Sequence, residues 1–94
     1  MSAEKIKEAL AGKVADKEYK DLYEDIKAHP ENYDKNTTGF YVESYDQAKA
    51  LSVSNETDVE KLYEALQQIE FAKSTVMKLE DSMKNFMEDM GKDS

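Results

Sequence analysis

The sequence predicts an all-α fold in which a small helical head precedes one long C-terminal helix. Through the last third of the chain, apolar residues recur every seven positions, and a second apolar set follows them by three. This heptad pattern is typical of a helix that buries a seam against a partner helix. Neither glycine nor proline interrupts residues 58–90. The seam consists of Leu62, Ala65, Ile69, Ala72, Val76, Leu79, Met83, Phe86 and Met90.

We predict a single domain over residues 1–94, with a head at 1–56, a long helix at 57–90 and a disordered tail at 91–94. A chain of this length buries only a marginal core by itself, so a second chain is expected to cover further apolar surface. The apolar surface that a second chain is expected to bury is the heptad seam. We therefore expect a coiled-coil-like homodimer or higher oligomer, with the head packed on the first half of the long helix.

Two short helices are predicted at the start of the head. The first runs over about residues 3–13, where Ser2 can cap it and Gly12 weakens its end. Asp16 can cap the second helix. Because Pro30 disfavours a helical conformation at the residue before it, the second helix is expected to stop near Ala28.

The middle of the chain is predicted to be an extended connector. Residues 31–38 are rich in Asn, Asp and Thr, and residues 39–43 are aromatic and β-branched around Phe40 and Val42. The second segment is open to two interpretations. It is either a connector that plugs the core or a strand that pairs with its copy in another subunit.

Capping-box spacings predict where the last two helices begin. Ser44 has a glutamine three positions on, and Thr57 has a glutamate three positions on. We therefore predict a third short helix over about residues 45–52. The long helix is expected to begin near Asp58.

The charge pattern indicates which partners the protein can have. The formal charge is −8, from 21 acidic residues and 13 basic ones, and every basic residue is a lysine. An acidic surface without arginine repels a polyanion and lacks the fork that grips phosphate, so direct nucleic-acid binding is not expected. The predicted partner is another protein with a basic surface, such as one that normally binds DNA or RNA.

Several residue types needed for chemistry or targeting are absent. The chain has no cysteine, no apolar run long enough for a membrane span and no apolar stretch of a signal peptide near its start. No phosphate-binding loop or nucleophile motif occurs. The expected protein is cytoplasmic, non-enzymatic and without a cofactor.

Two candidate metal or catalytic positions fail on closer inspection. Asp34, Asn36 and Thr38, followed by Gly39, start like a calcium loop, but the twelfth position carries Tyr45 instead of the bidentate glutamate. The segment is instead predicted to be a polar turn with Gly39 at positive φ. The single histidine, residue 29, is expected to be an exposed side chain near a helix end.

Two sets of residues are candidates for partner binding. Outward carboxylates of the long helix can present a row of negative charge that resembles the phosphates of a duplex, and methionines around a phenylalanine can adapt to an irregular apolar partner. These candidates are Glu60, Glu64, Glu70, Asp81 and Glu88, and Met77, Met83, Phe86, Met87 and Met90.

The predicted function is that of an oligomeric inhibitor or regulator that binds a partner protein. The alternative is a structural or scaffolding protein that acts by self-association. Ordinary explanations also apply: the methionines can fill a dimer core, and the acid excess can simply keep a small oligomer soluble. Short length, acidity and lysine-only bases resemble, in a general way, small phage accessory proteins that inhibit host machinery or assist assembly, although no motif carries this resemblance.

Overall fold

The computed structural model describes residues 2–79, and all the regular secondary structure in this part is helical. The all-α prediction is confirmed for these residues. A 3-10 turn, Pro30–Asn32, separates the second and third helices. The four α-helices are α1, Ala3–Ala15; α2, Lys17–Ala28; α3, Lys35–Ser52; and α4, Val59–Thr75.

Local capping signals position the first two helices as predicted. The Ser2 hydroxyl accepts a hydrogen bond from the backbone N–H of Lys5, and the Asp16 carboxylate accepts one from Glu18 at 2.9 Å. These side chains satisfy N–H groups that have no partner within their own helix. Asp16 also follows the last residue of α1, so α1 extends two residues beyond the predicted end, whereas α2 ends at Ala28 as predicted.

The predicted connector at residues 39–43 is wrong, because these residues lie inside α3. Asp34 caps this helix by accepting a hydrogen bond from the Asn36 N–H at 2.8 Å, and Gly39 does not have a positive φ. The predicted polar turn is therefore also wrong. Tyr41 is fully buried in the core. Burial of one helical face outweighs the weak extended preference of aromatic and β-branched residues, since β-propensity depends strongly on context.

Both predicted capping boxes are also wrong. Ser44 lies in the middle of α3, where it is buried and its hydroxyl accepts a hydrogen bond from the Gln68 side chain at 3.1 Å. The predicted third helix is thus only the second half of α3. At α4, Asp58 rather than Thr57 is the cap, with its carboxylate accepting hydrogen bonds from the N–H groups of two first-turn residues.

The uninterrupted helix predicted over residues 57–90 is wrong at Thr75, where α4 ends. Val76 has φ −60° and ψ 128°, which is an extended conformation, and its N–H donates to the Lys73 carbonyl. The predicted tail at 91–94 and the rest of the predicted helix beyond residue 79 lie outside the described residues.

Contacts with the start of α3 hold the chain after α4 in its extended path. The Asp34 N–H donates to the Met77 carbonyl at 2.8 Å, and the Met77 N–H donates to the Thr37 hydroxyl at 3.1 Å. Tyr33 and Lys78 form an isolated antiparallel bridge. These backbone groups find tertiary partners in place of the helical ones that continuation of α4 would provide.

The core is formed mainly where α1, α3 and α4 pack against one another, as expected for a head on the first part of the last helix. Four of the nine residues of the predicted seam lie in this core: Leu62, Ala65, Ile69 and Ala72 are buried within the single chain. Their heptad spacing therefore reflects packing of α1 and α3 on α4 within one chain. The other buried apolar residues are Ile6, Leu10, Ile26, Tyr33, Tyr41, Tyr45 and Ala48.

Candidate binding surface

The α3–α4 pair is an antiparallel hairpin with one exposed outer face. Phe40 lies opposite Phe71, with ring centroids 6.2 Å apart and an interplanar angle of 68°, and Ser44 lies opposite Gln68 one turn further along α3. These pairs fix the register of the two helices. They also determine which side chains share the outer face, which we call the hairpin face and define by Phe40, Phe71, Glu43, Glu60 and Glu64.

An aromatic pair is the apolar part of the hairpin face. Phe71 is 63% exposed, and Phe40 is half-buried against the core. Their edge-to-face arrangement suits the quadrupoles of the two rings. Most of the Phe71 side chain stays exposed beyond this contact, so further apolar surface is available for another molecule to bury.

Three carboxylates follow the aromatic pair along the hairpin, all on the same side of it. Helical geometry places Glu60, Glu64 and Phe71 within about 40° of one another around α4. Glu43 lies one turn beyond Phe40 on α3, and all three glutamates are exposed. None of the three forms an ion pair with another residue of the described range 2–79. The hairpin face therefore presents three carboxylates in a row that begins beside an aromatic pair.

The lysine nearest to these glutamates in sequence already has a partner. Lys61 Nζ lies 2.9 Å from the Glu56 carboxylate. The Lys61 ammonium lowers the pKa of Glu56, with a further contribution from the Asp58 N–H, and the same ion pair raises the pKa of Lys61. Glu56 therefore offsets the Lys61 charge, leaving the glutamates of the hairpin face without a compensating cation from this residue.

Two lysines, Lys13 and Lys73, lie on a different flank of α4. Lys13 and Lys73 both lie over the Tyr19 ring, 5.3 and 5.2 Å from its centroid. Lys13 Nζ is 3.5 Å from Glu70, and Lys73 Nζ is 3.6 Å from Glu18. Such exposed pairs add little stability, but they neutralise charge locally. Glu70, a predicted partner-binding residue, is thus engaged with α1 within the chain.

The predicted partner-binding residues therefore have different outcomes. Glu60 and Glu64 lie on the hairpin face, and Met77 is 41% exposed beside the start of α3. The sequence reasoning missed Phe40 and Phe71 as a pair, because it placed the first in a connector. The signal for Phe71 is an aromatic residue on the same side of α4 as Glu60 and Glu64, whereas Phe40 carries no comparable signal because it packs against the core. Asp81, Met83, Phe86, Met87, Glu88 and Met90 lie outside the described residues.

Tyrosine hydroxyl groups of α3 join this helix to α1 and α2. These contacts were not predicted from the sequence. Tyr41 donates to the Tyr19 carbonyl at 2.6 Å, and Tyr45 donates to the Val14 carbonyl at 2.5 Å. Tyr23 stacks on Tyr45 with ring centroids 4.1 Å apart. The Tyr41 and Tyr45 hydroxyl groups thus bond to carbonyls of α2 and α1, which joins α3 to both helices.

Two further tyrosines pair with carboxylates. Tyr33 donates to Asp25, and burial followed by this hydrogen bond raises the pKa of Tyr33 to about 12. Tyr23 donates to Asp46 at 2.7 Å, and that hydrogen bond is the main reason why the pKa of Tyr23 rises to about 12. Both phenols are held neutral at physiological pH, so they act as hydrogen-bond donors.

The candidate calcium ligands occupy the first turn of α3. The Asp34 carboxylate is engaged with a backbone N–H, and the Thr38 hydroxyl donates to the Lys35 carbonyl at 3.4 Å. His29 is exposed, with Nδ1 3.5 Å from Glu31. Across residues 2–79, no three His, Cys, Asp or Glu side chains converge in a way that could hold a metal ion.

A shallow groove of about 350 Å³ lies between α1 and the loop that joins α3 to α4. Its lining mixes Glu4 and Glu8 with Lys7, and the exposed Val53 lies at its rim. Charges of both signs give this groove no clear ligand preference. Within the described part of the chain, no helix has the length and apolar character to cross a membrane.

The chain matches no family model, no curated protein and no solved structure.

Proposed function

We propose that this protein is a non-enzymatic protein-binding module that engages a basic partner protein through the hairpin face and thereby blocks or organises that partner. The observation that carries the proposal is the separation of charge on the surface. Glu43, Glu60 and Glu64 are exposed without a cation among residues 2–79, whereas Lys13 and Lys73 are paired on another flank.

Charge complementarity explains how such a surface selects its partner. Like-signed groups grouped on one face raise the local potential, which speeds encounter with an oppositely charged surface and repels acidic competitors. The net charge of −8 extends this attraction over the whole molecule. A DNA- or RNA-binding protein suits this surface, because its basic site normally receives a row of phosphates.

The test is capture from a cell lysate with the immobilised protein at low and at high salt. A triple variant, Glu43→Gln with Glu60→Gln and Glu64→Gln, changes the net charge from −8 to −5 without changing side-chain size. A control variant makes the same charge change at three exposed glutamates elsewhere on the surface. These are Glu8, Glu24 and Glu31.

We expect wild type and the control to retain the same basic protein, and the hairpin-face variant to lose most of it. Retention should weaken at high salt, because exposed charges are screened beyond about 8 Å at physiological ionic strength. Equal retention by both triple variants at both salt concentrations would reject the hairpin face as the electrostatic site.

A second proposal is self-association, with the protein acting as a scaffold or as an oligomeric binder. Its support is apolar exposure near the end of the described chain, where Met77 is 41% and Leu79 is 40% exposed. The remaining seam residues, from Met83 onward, lie outside the described part. Light scattering at micromolar concentration is expected to give at least a dimer, and a monomeric mass across that range would remove this proposal.

A further inference from the structure

We propose that Phe71, supported by Phe40, anchors a basic amphipathic helix of the partner protein, whose cations then reach Glu64 and Glu60. This inference rests on the proposed function and names the kind of segment that the hairpin face accepts. Its apolar element is the most exposed aromatic residue of the described chain, at 63%. Buried aromatic anchors commonly dominate the binding energy of protein interfaces.

The spacing along α4 defines the partner's pattern. Phe71 and Glu64 are seven residues apart, or about 10.5 Å along the helix axis, and Phe71 and Glu60 are eleven residues apart, or about 16.5 Å. A helix lying along α4 places side chains at the same intervals on one face. The partner should therefore carry an apolar anchor with lysine or arginine two and three turns away.

A helix is the appropriate conformation for this partner segment. The hairpin face is built from α3 and α4, whose backbone groups are already paired within their own helices. No strand occurs in residues 2–79, so an extended peptide finds no sheet edge to join. An incoming segment must satisfy its own backbone hydrogen bonds, which a helix does, and helix-in-groove binding is a common mode of recognition.

Charge favours a foreign basic segment over other occupants. Residues 80–94 of the same chain carry five acidic residues and two lysines, so electrostatic repulsion opposes their docking beside Glu43, Glu60 and Glu64. A second copy of the chain also carries a net charge of −8. A lysine- or arginine-rich helix is attracted, and its long side chains can reach the carboxylates while the apolar anchor covers the aromatic pair.

The test uses two synthetic helical peptides of identical composition. The first carries one tryptophan anchor with lysines two and three turns away on the same face, and the second places the anchor and the lysines on opposite faces. Because the protein contains no tryptophan, the peptide's own fluorescence reports burial of the anchor. Backbone amide chemical shifts of the wild-type protein identify where each peptide binds.

Three protein variants separate the two parts of the site. Phe71→Ser removes the anchor contact, and Tyr63→Ser is its matched control, since Tyr63 is 43% exposed on the flank of α4 that faces away from α3. The double variant Glu60→Gln with Glu64→Gln removes the charge. Thermal melts confirm that each variant is folded.

We expect the first peptide to bind wild type at least tenfold more tightly than the second, with the largest shifts around Phe40 and Phe71. Phe71→Ser should weaken the first peptide at least tenfold, and Tyr63→Ser should not. If both serine variants bind equally well, or neither peptide binds wild type, the anchor is wrong. If the Glu60→Gln, Glu64→Gln variant binds both peptides as tightly as wild type does at low salt, the proposed function, which requires attraction between these glutamates and a basic partner, is wrong.

Discussion

Replacing Leu62 by alanine tests whether the first half of the heptad belongs to the core of one chain. Leu62 is fully buried, whereas its neighbour Tyr63 is 43% exposed on the same helix. Alanine is compatible with α4 at both positions, so helix propensity does not distinguish the variants strongly. The two substitutions differ mainly in whether a buried side chain is lost.

The expected loss follows from burial. Leucine to alanine removes three carbons, each contributing about 0.8 kcal/mol when buried, and the cavity left behind raises the total to about 3 to 5 kcal/mol. Total stability for a chain of this length is about 5 to 14 kcal/mol. Each kcal/mol of lost stability lowers the melting midpoint of a domain of this size by about 4 °C or more, so Leu62→Ala should lower it by at least about 12 °C. Tyr63→Ala should change stability by about 0.5 kcal/mol or less.

The assay is thermal unfolding followed by circular dichroism over a range of protein concentrations. If Leu62 stabilises a single chain, Leu62→Ala lowers the melting midpoint by the same amount at every protein concentration. If Leu62 lies in an intermolecular contact, the effect depends on protein concentration by mass action. Equal midpoints for Leu62→Ala and Tyr63→Ala would refute the core assignment. If the difference in melting midpoint between Leu62→Ala and wild type disappears at high protein concentration, Leu62 belongs to an intermolecular seam.

Three further predictions concern single contacts. Asp58→Ala removes the cap of α4 and should cost about 1 kcal/mol in urea unfolding; an unchanged midpoint would contradict the capping assignment. Tyr33→Phe should flatten the alkaline loss of stability, because the raised pKa of Tyr33 gives stability that is complete below about pH 10 and lost as the pH rises through about 12; equal slopes in unfolding titrations would contradict it. Thr37→Val should abolish hydrogen-exchange protection at the Met77 amide while leaving the melting midpoint nearly unchanged, and persistent protection would show that the hydroxyl is not its acceptor.

Some of the signals that act within one helical turn were predicted from the sequence, although both predicted capping boxes are wrong and the cap of α3 was not predicted. Ser2 and Asp16 were identified as caps, and α2 ends at Ala28 as predicted beside Pro30. The start of α4 was also placed correctly, although Asp58 rather than its neighbour is the cap. These features depend on a side chain, a backbone N–H or a ring within a few residues, which is why the local sequence could indicate them.

The candidate site could be predicted only in part. Glu60 and Glu64 were identified as outward carboxylates, because the heptad register places them away from the apolar face. Phe40 and Phe71 were not paired, since their contact depends on α3 being helical and on its register against α4. Glu70 was expected to be available, but its ion pair with Lys13 joins residues that are far apart in sequence.

The sequence by itself determined that apolar residues line one face of the helix over residues 59–75, but it could not determine which residues pack against that face. Periodicity shows where apolar side chains recur. The same pattern is compatible with packing against helices of the same chain and with packing against a second chain. Tertiary structure decided that Leu62 and Ile69 pack within the chain. It also decided that α4 ends at Thr75, because backbone groups of Met77 bond to the start of α3. Both outcomes depend on contacts between distant segments, whose energies are absent from any local pattern.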